Sequence, residues 1–167
     1  MIQAEQGWKK QGEFAAAKYR EAAELFIEAN DLRHAGLALG RLGEFRRSIG
    51  QCRPAQEAYK MPLGLLERFP PHTDRVLSLV GLAACLIESG RVSEALGYYD
   101  NALRIARLFG DGQLVGSVVG QIVEVYKSAG ETGVAASYLS KATFNLPQIL
   151  KLGCSSSFRE LCVSGLT

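Results

Sequence analysis

The feature that most constrains this chain is a self-similarity at a spacing of forty residues. One alanine column and one tyrosine column show it best, with members Ala15, Ala55, Ala95 and Ala135, and Tyr19, Tyr59 and Tyr99. A period between about 20 and 50 residues is typical of solenoids, whose units bury their apolar faces only against neighbouring units. The period therefore predicts a repeat domain over 1–152, with units at about 1–30, 31–70, 71–110 and 111–152.

Within each unit the apolar residues recur at steps of three and four, which is the period of a helix with one buried face. The predicted helices cover 3–11, 14–29, 32–49, 55–69, 73–89, 92–109, 113–129 and 132–151. They form three full hairpins after one truncated hairpin, without strands. The serine- and cysteine-rich tail at 153–167 leaves the repeat register, and we expect a loop with at most one short helix there.

Three glycines recur at forty-residue intervals, Gly50, Gly90 and Gly130, each just after a predicted helix. Glycine adopts the left-handed conformation that ends many helices without the steric penalty of a Cβ atom. We therefore expect each of them to form the tight turn inside a hairpin. Asp31 precedes the helix at 32–49 and is expected to cap its N-terminus.

Glycine and proline inside the helices indicate local departures from the repeat. Pro62 occupies a column that holds alanine in the other units, and an interior proline removes a backbone hydrogen bond. We therefore expect the helix at 55–69 to be kinked or frayed at mid-length. Gly36, Gly40 and Gly43 follow one another along a single helix, where they allow a neighbouring helix to approach closely.

The order of small and large residues within a unit resembles the tetratricopeptide repeat. The best matching residues are Leu82, Ala83, Gly90, Ala95, Tyr99 and Ala102. The units on either side match at Leu42, Gly43, Gly50, Ala55 and Tyr59, and at Ile122, Gly130, Ala135 and Ala142. The resemblance implies an all-α right-handed superhelix of antiparallel helical hairpins, whose small residues let the helices pack closely.

Two more specific resemblances suggest different functions. The forty-residue period and the ending ALRIARLFGD are similar to the long repeats of kinesin light chains and G-protein-signalling modulators, which are protein-binding scaffolds. Arg41 and Glu44 stand where those proteins commonly carry peptide-clamping asparagines. The segment YREAAELFIEANDLRHAG resembles the soluble NSF-attachment proteins, which implies a vesicle-trafficking adaptor as the alternative function.

Composition excludes several classes of partner and location. The chain is 47% hydrophobic with a net charge of +2, so it lacks the basic field of a nucleic-acid-binding protein. Its longest apolar run, at 76–87, is shorter than the roughly 20 residues that a membrane-spanning helix needs. The N-terminal residues lack the apolar core of a secretory signal, so we expect a cytoplasmic protein without membrane insertion.

The chain offers no recognisable set of catalytic or metal-binding residues. Its four cysteines, Cys52, Cys85, Cys154 and Cys162, form no C-x-x-C pair, and neither His34 nor His72 has metal-ligand spacing to them. Neither histidine stands in a pattern that specifies a nucleophile. We therefore expect reduced cysteines, with Cys85 in the core, no cofactor, no metal and no enzymatic activity.

The repeat register also predicts a partner-binding surface, because the first helix of each hairpin lines the concave face of such solenoids. Three rows of outward positions result: Arg41, Glu44, Arg47 and Ser48; Leu77, Val80, Ala84, Ile87 and Glu88; and Gln121, Glu124, Lys127 and Ser128. The middle row is apolar and the outer rows carry mixed charge. This pattern predicts binding of a peptide segment or helix of another protein, with a hydrophobic anchor at its centre. Alternatively, the middle row contacts a second copy of this chain or its own tail.

Overall fold

The computed structural model describes the backbone of residues 2–67, 69–70 and 72–143, and the side chains of 12–67, 69–70 and 72–140. Within these ranges there are seven helices and no strand, which confirms the all-α class. The helices are α1 (Ile2–Glu28), α2 (Leu32–Ser48), α3 (Cys52–Leu66), α4 (Thr73–Glu88), α5 (Val92–Phe109), α6 (Gly112–Ser128) and α7 (Thr132–Thr143). The predicted tail at 153–167, the helix prediction beyond Thr143, Cys154 and Cys162 lie outside the described residues.

The chain divides into two compact units, Met1–Tyr98 and Tyr99–Thr167, and the division falls within α5. In the first unit α1 packs on α2, α2 on α3 and α3 on α4, and α2 also packs directly on α4. In the second unit α6 packs on α7. Three-residue turns join α1 to α2, α2 to α3 and α6 to α7. Each of these three pairs is therefore an antiparallel helical hairpin.

The turns repeat one hydrogen-bonding pattern. Gly50, Gly90 and Gly130 have φ angles of 75°, 75° and 78°, which confirms the predicted left-handed turns. The Gly50 N–H donates to the Arg47 carbonyl at 2.9 Å, and the Gln51 N–H donates to the Arg46 carbonyl at 2.8 Å. The same two bonds recur after α4 and after α6, where they satisfy carbonyls that a helix end leaves open. Asp31 accepts a hydrogen bond from the His34 N–H at 3.2 Å, as expected of a cap.

The first unit begins with one long helix, so the prediction of a truncated hairpin over 3–11 and 14–29 is wrong. Lys10 stands forty residues before Gly50, at the position where the repeat register places a turn glycine. The Cβ atom of lysine strongly disfavours the left-handed conformation of such a turn. The helix therefore continues through this position. Gly12, Ala16 and Ala23 form its buried side, while Phe14 remains 66% exposed.

The helix that contains Pro62 is continuous, so the prediction that it frays at mid-length is wrong. α3 continues through Pro62 and ends at Leu66, three residues before the predicted end at Phe69. The Pro62 side chain is among the most completely buried in the chain. Burial of the pyrrolidine ring therefore offsets the loss of one backbone hydrogen bond. Pro54 lies in the first turn of α3, where a missing N–H leaves no helix bond unmade.

The Tyr59 side chain of α3 fills the space between α2 and α4. A Cβ atom built on Gly43 of α2 would lie 2.7 Å from the Tyr59 ring, and one built on Gly81 of α4 would lie 2.3 Å from Tyr59 Cζ. These distances are shorter than side chains tolerate. Only glycine at both positions leaves room for the tyrosine ring, which is 1% exposed.

We predict that Gly81→Ala destabilises the protein by about 1–3 kcal/mol, because the new methyl group overpacks a rigid, buried ring. Gly97→Ala is the matched control, since no side chain lies within 4 Å of its added Cβ atom. The control should stabilise the helix by up to about 1 kcal/mol. Urea denaturation measures both changes. Equal stability of Gly81→Ala and the native protein would contradict the close packing of the Tyr59 ring against Gly81.

We predict that Pro62→Ala changes the free energy of unfolding by less than about 1 kcal/mol. Removing a helix-interior proline favours the helix by about 3 kcal/mol. The lost methylene burial, at about 0.8 kcal/mol per group, and the greater entropy of the unfolded chain oppose this gain. Thermal denaturation tests the balance. A gain near 3 kcal/mol would show that the ring contributes no packing energy.

Candidate partner-binding groove

Small residues allow α2 and α4 to lie side by side. A Cβ atom built on Gly40 would lie 3.4 Å from Ser78 Oγ of α4. One built on Gly36 would lie 3.0 Å from the Leu66 side chain of α3, which packs on both helices. Together with the contact between Gly43 and Tyr59, these distances confirm the packing role predicted for the three glycines. The two helices that carry the first and second predicted rows are therefore neighbours.

One strip of α4 remains open. Val76, Leu79, Leu82 and Leu86 are buried on its other faces. The open side carries the α4 strip, which we define as Leu77, Val80, Ala84 and Ile87. Leu77 is 41% exposed, and the other three are half-buried. Glu88 is exposed at the end of the same side. The structure thus leaves Leu77 exposed and the rest of the predicted apolar row partly accessible.

The row on α2 supplies polar groups beside this strip. Arg41 Nη1 donates to Glu44 Oε2 at 2.8 Å, so these two side chains form an ion pair on the helix surface. Arg47 is exposed, and no carboxylate among the described side chains forms an ion pair with it. Its guanidinium lies near the Tyr59 hydroxyl at the seam between α2 and α4.

A cleft of about 20 Å³ opens between α2 and α4, enough for roughly one water molecule. Arg41, Glu44 and Leu77 of the predicted rows line it. Sequence reasoning missed the other lining residues, which are Gly36, Leu37, Gly40, Tyr59, Asp74 and Ser78. The signal that could have located the cleft was the pair of small residues, Gly40 on α2 and Ser78 on α4.

The Tyr59 hydroxyl has an unusual environment beneath the groove. It is buried and has no hydrogen-bond partner among the described residues. Burial raises the pKa of Tyr59 to about 12, and the nearby Arg47 guanidinium offsets part of that rise. The phenol therefore stays neutral at physiological pH.

The third predicted row lies on α6, in the second unit. Gln121, Glu124 and Ser128 are exposed, and Lys127 is half-buried with its Nζ atom 3.3 Å from Glu124 Oε1. The structure therefore brings the first two rows together on α2 and α4, and it describes the third row within a separate unit.

The cysteines of the first unit are held in their neutral form. Cys52 Sγ donates to Glu88 Oε2 at 2.6 Å. Burial, followed by this hydrogen bond, raises the pKa of Cys52 to about 12. Cys85 is fully buried, as predicted, and burial also raises its pKa. Because the thiolate is the reactive and metal-binding form, both cysteines are poor nucleophiles and poor ligands at neutral pH.

The histidines act at helix N-termini. His34 Nδ1 lies 2.6 Å from Asp31 Oδ2, and His72 Nδ1 lies 2.8 Å from Asp74 Oδ2. Arg33 contacts the other ring nitrogen of His72. In the part of the chain that the structure describes, no three His, Cys, Asp or Glu side chains are grouped as a metal site requires.

No family model matches this chain, and no curated protein matches it significantly. The resemblance to the tetratricopeptide repeat therefore stays a prediction that rests on the residue columns. Among the described helices, none combines the length and the apolarity needed to cross a membrane.

We predict that Cys52 is alkylated by iodoacetamide at pH 8 more slowly than an unperturbed cysteine, because its raised pKa leaves little thiolate. Glu88→Gln removes the adjacent carboxylate and should accelerate the reaction at Cys52. Mass spectrometry of the labelled peptides assigns the modified residue. Faster alkylation of Cys52 in the native protein than in Glu88→Gln would contradict this assignment.

Proposed function

We propose that this protein is a non-catalytic scaffold that binds a segment of another protein in the groove between α2 and α4. The observation that carries the proposal is the α4 strip, which is apolar and accessible beside a neighbouring helix. Covering apolar surface contributes about 25 cal/mol per Å² removed from water. A partner that covers the strip therefore gains binding energy without rearranging the core.

The distribution of polar groups supports this proposal. Protein interfaces commonly have an apolar centre within a polar, solvated rim. Here the Arg41–Glu44 ion pair and Arg47 border the strip on the α2 side, and Glu88 lies at its end. The rim can therefore orient a partner, while the α4 strip supplies most of the binding energy.

We propose further that the hairpins form a right-handed superhelix of the tetratricopeptide type, in the cytoplasm. The support is the repeated turn geometry at Gly50, Gly90 and Gly130, which gives successive hairpins the same local form. Within the second unit, we propose the row on α6, which includes the Glu124–Lys127 pair, as a partner-binding surface of its own.

A binding role fits the chemistry of the groove better than catalysis does. An enzyme needs a nucleophile, acid or base with a pKa tuned to its task. Burial instead shifts the pKa values of Cys52, Cys85 and Tyr59 away from neutrality. The trafficking-adaptor alternative makes a separate prediction, which is that the chain prefers assembled helical bundles to a linear peptide.

We predict that Ile87→Glu weakens partner binding at least tenfold, because it places a charge in the apolar centre of the interface. Met61→Glu is the matched control, since Met61 lies on α3 and is 54% exposed. Proteins recovered from cell extract by the immobilised native chain should be lost with Ile87→Glu and kept with Met61→Glu. Circular dichroism and light scattering verify that both variants are folded and monomeric. If folded Ile87→Glu keeps every partner, the groove assignment is wrong.

A further inference from the structure

We infer that the occupant of this groove is an amphipathic α-helix that lies along the α4 strip, with a large apolar side chain over Ala84 and an acidic side chain near Arg47. This inference rests on the proposed function and names the kind of partner that the groove accepts.

The spacing of the α4 strip favours a helical partner. Leu77, Val80, Ala84 and Ile87 follow one another at intervals of three, four and three residues. This is the a and d spacing by which two helices interlock their side chains. The strip extends over about 15 Å of helix axis at 1.5 Å per residue, which is close to three turns. An extended segment repeats its side chains at about 6.6 Å on one face and does not match this spacing.

The sizes of the strip residues favour one large side chain over Ala84. Leu77 and Ile87 lie towards the two ends of the strip, and the small side chain of Ala84 lies between them. A small residue among larger ones forms a hollow that accepts one large side chain from a facing helix. The cleft beside the strip accommodates only about one water molecule, so we place the anchor over Ala84 rather than in the cleft.

The charges on α2 favour an acidic residue on the partner. Four arginines lie on α2, and three of them have partners: Arg33 contacts His72, Arg41 pairs with Glu44, and Arg46 donates to Gln51. Arg47 lies near the neutral Tyr59 phenol, and the nearby Glu88 carboxylate accepts a hydrogen bond from Cys52. A carboxylate on the partner can therefore pair with Arg47 in a bidentate contact. Because Arg47 lies on α2, we expect the acidic residue on the side of the partner helix that faces α2.

A display library of random 16-residue peptides, selected on the full chain, tests the inference. Leu77→Glu serves for counter-selection, because Leu77 is exposed enough for the variant to fold. The selected peptides should carry apolar residues at i, i+3, i+7 and i+10, lack interior proline, and carry an acidic residue at one flank. Leu77-dependent binders with alternating or proline-rich sequences would overturn the helical occupant and leave the groove assignment intact. No Leu77-dependent binder at all would overturn both.

Two variants of the chain sharpen the result. Ala84→Leu adds apolar surface but fills the hollow, so binding of the selected peptides should fall at least about tenfold; unchanged or tighter binding would overturn the interlocking geometry. Arg47→Glu should change the selected flank from acidic to basic, and a persistent acidic flank would overturn the charge assignment.

A dimer of the native chain that dissociates on Leu77→Glu would show that a second copy occupies the groove, and this too would overturn the inference.

Discussion

The packing of one tyrosine ring against two glycines determines how the first unit is assembled. Tyr59 of α3 lies against Gly43 of α2 and Gly81 of α4, at distances that leave no room for a Cβ atom on either helix. Because the ring is completely buried, it sets the separation of α2 and α4 and holds both on the same side of α3. The unsatisfied hydroxyl is the energetic cost of this arrangement, since a phenylalanine would fill nearly the same volume without burying a polar atom.

The same contact explains why α4 keeps one open strip. Gly81 directs one side of α4 towards Tyr59, and Leu79, Leu82 and Leu86 occupy its other buried faces. Helical geometry then leaves Leu77, Val80, Ala84 and Ile87 on the remaining side. Thus α4 supplies apolar residues both to the core and to the groove. The contact between Gly81 and Tyr59 determines which side of the helix is buried.

The repeat register and local backbone chemistry made much of this fold predictable. The turn glycines, the Asp31 cap and the packing glycines each follow from a local rule, and the helices from α2 onwards begin within a few residues of their expected positions. The long α1 was missed because a helical break was assumed at residues 12–13, although Lys10 occupies the column of the turn glycines. The continuity of α3 was missed because the burial of Pro62 depends on tertiary packing. The cleft was missed because its lining comes from two different helices, and the small residues Gly40 and Ser78 were not considered together.

The packing of the Tyr59 ring between α2 and α4 also has a kinetic consequence. A groove bounded by flexible side chains can widen by rotamer changes, whereas the seam held by Tyr59 and two glycines has no such freedom. The seam therefore has its final shape before a partner binds, and the conformational entropy lost on binding is mainly that of the partner. Association with such a preformed surface does not wait for an opening step of the scaffold. Differences in affinity among partners would then reside in their dissociation rates.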